Sequence, residues 1–269
     1  MKLVTLDVKN VKKGEMELPK QFAEPLRPDL IKRAVLALRS ARRHRYGSFP
    51  EAGKRQHAKI SRRRRDYKGS YGHGISRVPR KILSHRGTRF FWVGAVAAGT
   101  VKGKRAHPPK SQRIWEEKIN KKENRKAIRS AIAATVVKEL VQKRGHHIPS
   151  AYPFVLDHSF EELSKTKDVV TMLEALGFGD ELERASETKI RGGRGKMRGR
   201  RTKKKKGILI VVSKDCTAIK AASNIPGVDI VRVNELNAEL LAPGAHPGRV
   251  AIWSDTAVER LSKEHLFME

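Results

Sequence analysis

The chain has 269 residues, of which 38% are hydrophobic and 32% charged, and a formal net charge of +31. The apolar share is below the ~45–50% usual for globular domains, so a core is affordable only where apolar residues concentrate. A single cysteine, Cys216, excludes an internal disulfide and a thiolate metal cluster and fits a reducing, intracellular compartment.

The charge is uneven. Residues 42–110 hold 20 Lys/Arg against Glu51 and Asp66, and residues 189–206 hold 11 Lys/Arg and no acid. The other 182 residues carry 28 basic and 26 acidic side chains. A near-neutral body with two cationic segments is the layout expected of a fold that pushes those segments into a polyanion.

Taken in chain order, Leu3–Val8 alternates as a strand, with no signal-peptide pattern in Met1–Asn10. Pro28–Arg43 reads as a helix: Pro28 suits the first turn, Leu30, Ile31, Ala34, Val35, Leu38 and Ala41 follow helical spacing, and Arg39, Arg42, Arg43 and His44 suit the negative end of its dipole. From Tyr46 to Pro109 periodicity vanishes and glycines recur. So long a stretch without structure of its own is either disordered or ordered by something outside the chain. Regular structure is expected again over Ser111–Arg144, with Asn120 and Glu123 as a capping box and Ile128, Ile132, Val136 and Leu140 as a ridge, ended by Gly145. Tyr152–Leu156 is a candidate strand; Lys167–Leu176 and Asp180–Ala185 are short helices.

After the second basic segment, Gly207–Ser213 reads as a strand apolar on both faces. Thr217–Ala222 (helix), Val228–Val233 (strand), Asn234–Leu241 (helix), Arg249–Trp253 (strand) and Thr256–Leu261 (helix) follow. This alternation predicts a three-layer α/β fold with a mostly parallel sheet. The longest apolar run, Phe90–Val101, is too short for a membrane span and is broken by Gly94 and Gly99.

Catalytic motifs are wanting. Gly195-Lys196 and Gly103-Lys104 lack the remainder of a phosphate-binding loop, and residues 193–199 miss the dinucleotide fingerprint and precede a strand rather than follow one. There is no nucleophile elbow. His57, His73 and His85 are scattered among cations, where phosphate or base contacts suit them better than a metal. His146 and His147, after a helix end, read as solvated or capping. Asp157 and Asp255 follow or end strands and read as caps of the next helix. Cys216 reads as a small, partly buried residue at a strand–helix junction.

The basic segments carry the chemistry. A short cationic run alone is more often a solvated face or a localisation signal; the combination here is more specific. In the first segment Arg42, Arg43, Arg45, Lys54, Arg55, Lys59, Arg62, Arg63, Arg64, Arg65, Lys68, Arg77, Arg80, Lys81, Arg86, Arg89, Lys102, Lys104 and Arg105 are candidate RNA contacts. Arginine predominates, and its planar fork binds phosphate bidentately and stacks on bases. Tyr46, Phe49, Tyr67, Tyr71 and Trp92 are interleaved as stacking candidates for unpaired bases, although Phe90, Phe91 and Trp92 serve equally well to anchor the segment's return. In the second segment the candidates are Lys189, Arg191, Arg194, Lys196, Arg198, Arg200, Arg201, Lys203, Lys204, Lys205 and Lys206. Glycine clusters such as Gly72, Gly74 and Gly192, Gly193, Gly195 allow close backbone approach to phosphate.

At this point four stretches resemble one family: RFFWVGAVAAGTVKGKRAHPP at 89–109, INKKENRKAIRSAIAAT at 119–135, ASETKIRGGRGKMRGR at 185–200 and LAPGAHPGR at 241–249. They are similar to the universal large-subunit ribosomal protein L-four family in its archaeal/eukaryotic form, and the length, without a long C-terminal extension, suits an archaeal member. The resemblance implies a non-catalytic, cytoplasmic constituent of the large ribosomal subunit, without cofactor, metal, membrane or small-molecule substrate. It implies one α/β body (1–45 and 110–269) bound to large-subunit rRNA, with the second basic segment at 189–206. It further implies that a long extended loop, 46–109, reaches the polypeptide exit tunnel beside the ribosomal protein L-twenty-two and meets the nascent polypeptide. Carried onto this chain, the inner loop lies around 62–86, with Arg77 and Arg80 as tunnel-facing candidates. The competing reading is a non-ribosomal RNA-binding chaperone or assembly factor; an α/β enzyme acting on RNA is a third.

Overall fold

The computed structural model describes residues 1–268. The chain divides into two compact units, one of residues 1–42 and 116–269, the other of residues 43–115.

The first unit is built on a six-stranded sheet. Its elements in chain order are β1 (Lys2–Leu6), β2 (Lys12–Glu17) and α1 (Pro28–Ala41), and the second unit then contributes β3 (Arg80–Arg86) and β4 (Arg89–Gly94). The first unit resumes with α2 (Lys121–Val136), α3 (Lys138–Lys143), β5 (Val155–Leu156), α4 (Thr166–Ala175), α5 (Gly179–Ser186), β6 (Thr188–Ile190) and β7 (Thr202–Lys204). It ends with β8 (Leu209–Val212), α6 (Thr217–Ala222), β9 (Asp229–Arg232), α7 (Ala238–Leu241), β10 (Ala251–Ser254) and α8 (Asp255–Lys263). The sheet order is β2-β1-β5-β10-β8-β9; only the β1–β2 pair is antiparallel. A mixed α/β fold with a mostly parallel sheet was therefore legible in the alternation of elements.

Period-two alternation sorts the strands' side chains into two cores. Leu209, Val211, Ala251, Trp253 and Val155 share one cluster with α1, α2, α7 and α8. Ile208, Ile210, Val212, Val250, Ile252 and Leu156 share the other with α4, α6, Phe160 and Phe178. Burial on both faces explains why β8 and β10 read as unbroken apolar runs.

Several local expectations need correction. The Asn120–Glu123 capping box does not form: the Asn120 side chain makes no cap bond, and Glu123 pairs instead with Arg33 of α1 at 2.8 Å. The helix begins at Lys121 rather than near Ser111 and is interrupted at the extended, exposed Val137. Gly145 does end it, at φ +90°. The expected helix from Asn234 shrinks to Ala238–Leu241, because the Asn237 side-chain Oδ1 accepts from the Leu240 amide at 2.9 Å and restarts it there. Strand β2, KKGEME, has no apolar alternation to announce it. As the sheet's outer strand its charges discourage further pairing.

Residues 43–115 are not without structure. Strands β3 and β4 pair antiparallel from Arg80↔Gly94 to Arg86↔Arg89. Near the ends of the segment the Ser48 amide donates to the Pro109 carbonyl at 3.0 Å. A Cβ at Gly47 would lie 2.7 Å from the Ser111 nitrogen, and one at Gly53 would lie 2.5 Å from the Gly103 oxygen, so glycine is what lets the two limbs meet. The buried side chains of this unit are Ala95 and Ser70 alone. Too few apolar residues are available to form a core, and hydrogen bonds and ring contacts take its place.

Candidate nucleic-acid interface

In residues 43–115 every candidate cation is exposed except Arg80 and Lys81, which are half-buried. The Arg80 guanidinium donates to the Ser76 carbonyl at 2.7 Å and hydroxyl at 2.9 Å. Arg62–Arg65 form an exposed run beside Asp66, which accepts from the Ser61 hydroxyl at 2.5 Å. Arg77 lies over the Tyr71 ring at 4.4 Å and Arg55 over Phe49 at 4.3 Å.

The stacking candidates already have partners within their own unit. Tyr46 stacks on Trp115 at 5.6 Å, and Arg43 and Arg113 also lie over that indole. Trp92 stacks on Phe90 at 5.2 Å, and Phe90 meets the edge of Tyr67. Tyr46, Phe49 and Tyr67 nevertheless remain 54%, 53% and 57% exposed, so cation–π and ring contacts fix their orientation without removing them from solvent. Arg113 and Trp115 escaped the sequence reading; their spacing around the segment's end was the available signal.

The second basic segment is a hairpin, β6 paired with β7. Gly193 and Gly199, both at positive φ, turn its tip. Arg191 is not a free contact: it donates to the Arg200 carbonyl at 2.9 Å and braces the turn. Lys205 and Lys206 pair with Glu187 and Asp229 at 2.5 and 2.9 Å, as Arg42 at the end of α1 pairs with Glu239 at 2.6 Å. Lys189, Arg194, Lys196, Arg198, Arg200, Arg201, Lys203 and Lys204 stand exposed.

His146 overturns its reading as a solvated or capping residue. It is 6% exposed, and its Nδ1 lies 2.7 Å from the fully buried Glu181 carboxylate. Arg184 donates to both Glu181 oxygens and the His147 amide to one. Burial opposes ionisation of Glu181, but these donors hold its carboxyl down at about 2. Burial lowers the His146 value, against the pull of Glu181. Arg249, fully buried, donates to the Gly207 and Leu240 carbonyls at 2.9 Å and to Asp229 at 2.6 Å. Next to this cluster a cavity of about 820 Å³ is lined by Lys143, Arg144, His146, Arg184 and Lys203–Lys206 among other residues. Burial and the neighbouring Arg249 and Arg184 depress Arg144 to about 10.

At the carboxyl ends of β5 and β10, Asp157, His158 and Asp255 bring three potential ligand atoms within 4.8 Å. The Lys13 ammonium, 2.7 Å from Asp157, already supplies a cation there. Asp157 accepts from the Ser159 amide as a cap. Asp255 does not cap its helix, because the Ser254 hydroxyl takes that position and accepts from Ala257. His57, His73 and His85 take no part in this group. Cys216 is half-buried at the start of α6, as expected. Among the described residues no helix is long and apolar enough to cross a membrane.

Exposed arginines and lysines on glycine-turned hairpins, together with a unit built on a mostly parallel sheet, define a strongly cationic α/β protein. Residues 16–264 match the Ribosomal protein L4/L1 family. The large ribosomal subunit protein uL4 of Nanoarchaeum equitans is 52% identical over 255 residues, covering 94% of this chain and 95% of the relative. That of Archaeoglobus fulgidus is 49% identical, covering 98% and 99%, and that of Methanocaldococcus jannaschii 44% identical, covering 98% and 99%. The chain belongs to the Ribosomal protein L4/L1 family; it is a structural ribosomal protein of archaeal type and not an enzyme.

Proposed function

We propose that the chain is a structural constituent of the large ribosomal subunit that binds large-subunit rRNA and supports subunit assembly. The observation that carries this is the second unit: residues 43–115 bury only the Ala95 and Ser70 side chains while presenting a nearly unbroken set of cations. Without a core it gains little from folding alone, and phosphate neutralisation supplies what burial does not. In this reading the body is a three-layer α/β scaffold, residues 46–109 form the extended loop, and the 189–206 hairpin is a second rRNA contact. The inner loop, about 62–86, forms part of the exit tunnel wall, with L-twenty-two and other ribosomal proteins as neighbours and the nascent polypeptide passing by. Of the two tunnel-facing candidates, Arg77 is the more available, since Arg80 is engaged by Ser76.

Sucrose-gradient fractionation after a high-salt wash tests this. One copy should remain with each large subunit; loss from the particle overturns the reading and leaves the free RNA-binding chaperone. Deleting residues 55–86 should leave the body's thermal transition within a few degrees of the intact chain's while impairing subunit assembly. An unfolded body would sink the loop assignment.

A further inference from the structure

Two glycine contacts within residues 43–115 bring its limbs together and leave a cavity between them. Having no side chain, Gly47 passes close to the Ser111 nitrogen and Gly53 close to the Gly103 carbonyl. Between these closures the Ser48 amide donates to the Pro109 carbonyl at 3.0 Å. The cavity, about 530 Å³, takes its lining from both limbs, from residues between 48 and 54 and residues between 104 and 112. No carboxylate lines it, whereas Lys54, Lys104, Arg105 and Lys110 do, and all four are exposed. Phe49, Pro50, Pro108 and Pro109 give it apolar walls. The backbone at Phe49 is fixed by a turn, its carbonyl accepting from the Ala52 amide at 2.9 Å. Arg55 lies over one face of the Phe49 ring at 4.3 Å and does not line the cavity. The residue is still 53% exposed, so the opposite face of the ring is open.

We infer that this cavity holds one unpaired nucleobase of the bound RNA, stacked on the open face of Phe49, with its flanking phosphates on Lys54 and Lys104 and its edge towards Gln112. The inference rests on the rRNA-binding function proposed above and adds to it what is recognised at this point, a base without a Watson–Crick partner. Cations alone do not tell paired from unpaired RNA, because both carry phosphates. An aromatic face inside a cavity does, because the faces of a base within a helix are covered by its neighbours. The volume, about 530 Å³, lies within the range of small-molecule sites. Gln112, exposed on the cavity wall, carries a donor and an acceptor on one amide and can meet the edge of any base. The site therefore reads the absence of pairing rather than the identity of the base. The Arg55 guanidinium on the far side of the ring holds Phe49 in orientation through a cation–π contact.

The test titrates the full chain, its phenylalanine rings ¹³C-labelled, with hexauridylate, with an abasic ribose-phosphate hexamer and with a blunt RNA duplex, and follows the rings by NMR. The Phe49 signals, identified by their loss in Phe49→Leu, should move with hexauridylate and stay in place with the other two. Phe49→Leu should weaken hexauridylate binding about fivefold or more and leave the affinity for the abasic hexamer unchanged, while Phe49→Tyr keeps both. Lys104→Gln should weaken both hexamers alike. Phe49 and Lys104 are exposed, so neither replacement removes a buried contact. An equal loss for both hexamers in Phe49→Leu, or Phe49 signals that follow the abasic hexamer or the duplex or do not respond to hexauridylate, overturns the site while leaving rRNA binding standing. Failure to bind large-subunit rRNA at all removes both.

Discussion

The two units solve the problem of staying ordered in different ways. The body buries two apolar clusters, one on each face of its sheet, and can spend that burial on Arg249 and Glu181, charged groups sunk completely in the interior. Residues 43–115 have a hairpin, a glycine-mediated closure and guanidinium–ring contacts, with Ala95 as the one buried apolar side chain. Buried charge in the first unit is paired, and its exposed cations gather on the 189–206 hairpin; in the second unit nearly all the charge is displayed. The difference teaches that similar secondary structure does not imply similar autonomy, since hairpin bonds exchanged with water contribute little net stability without apolar burial.

The sharpest way to break this comparison is salt. If ~6–10 phosphates are neutralised, raising monovalent salt from about 50 to about 200 mM should weaken rRNA affinity by about a thousandfold or more, measured by fluorescence anisotropy. In the same samples, amides of 80–94 should exchange rapidly without RNA and slowly with it, whereas those of β8 and β10 stay protected in both. Equal protection of the two units without RNA would show that residues 43–115 order themselves.

Within the body the largest single-site effect is expected at Arg249. Its replacement by alanine leaves the Gly207 and Leu240 carbonyls without their arginine donor and Asp229 without one cation, and should cost about 3–5 kcal/mol in urea unfolding. A change under about 1 kcal/mol would mean that the buried charge is not what organises this end of the sheet.

A slightly smaller effect is expected from acid. Glu181 has its carboxyl lowered from 4.5 to about 2 in the folded chain, so its contribution is present above the unfolded value and is lost as pH falls between the two. That amounts to about 3 kcal/mol, and Glu181→Gln should flatten this part of the stability–pH curve. A curve identical to wild type would assign acid sensitivity to other carboxylates.

The amino-acid sequence by itself determined the class of fold and the division of charge. Strand–helix alternation after residue 207 is carried by runs such as Ile208–Val212, whose burial on both faces requires a covered parallel sheet. The cationic segments were visible because charge counts survive any folding. Tertiary structure alone decided what depends on partners distant along the chain. Glu123 abandoned its cap for Arg33, and β2 became a strand only through β1. His146, which follows a helix end like any solvated histidine, was buried by a carboxylate 35 positions away. Local pattern reports propensity and periodicity, whereas the ionic and hydrogen-bonding state of a buried group is set by neighbours that sequence distance does not reveal.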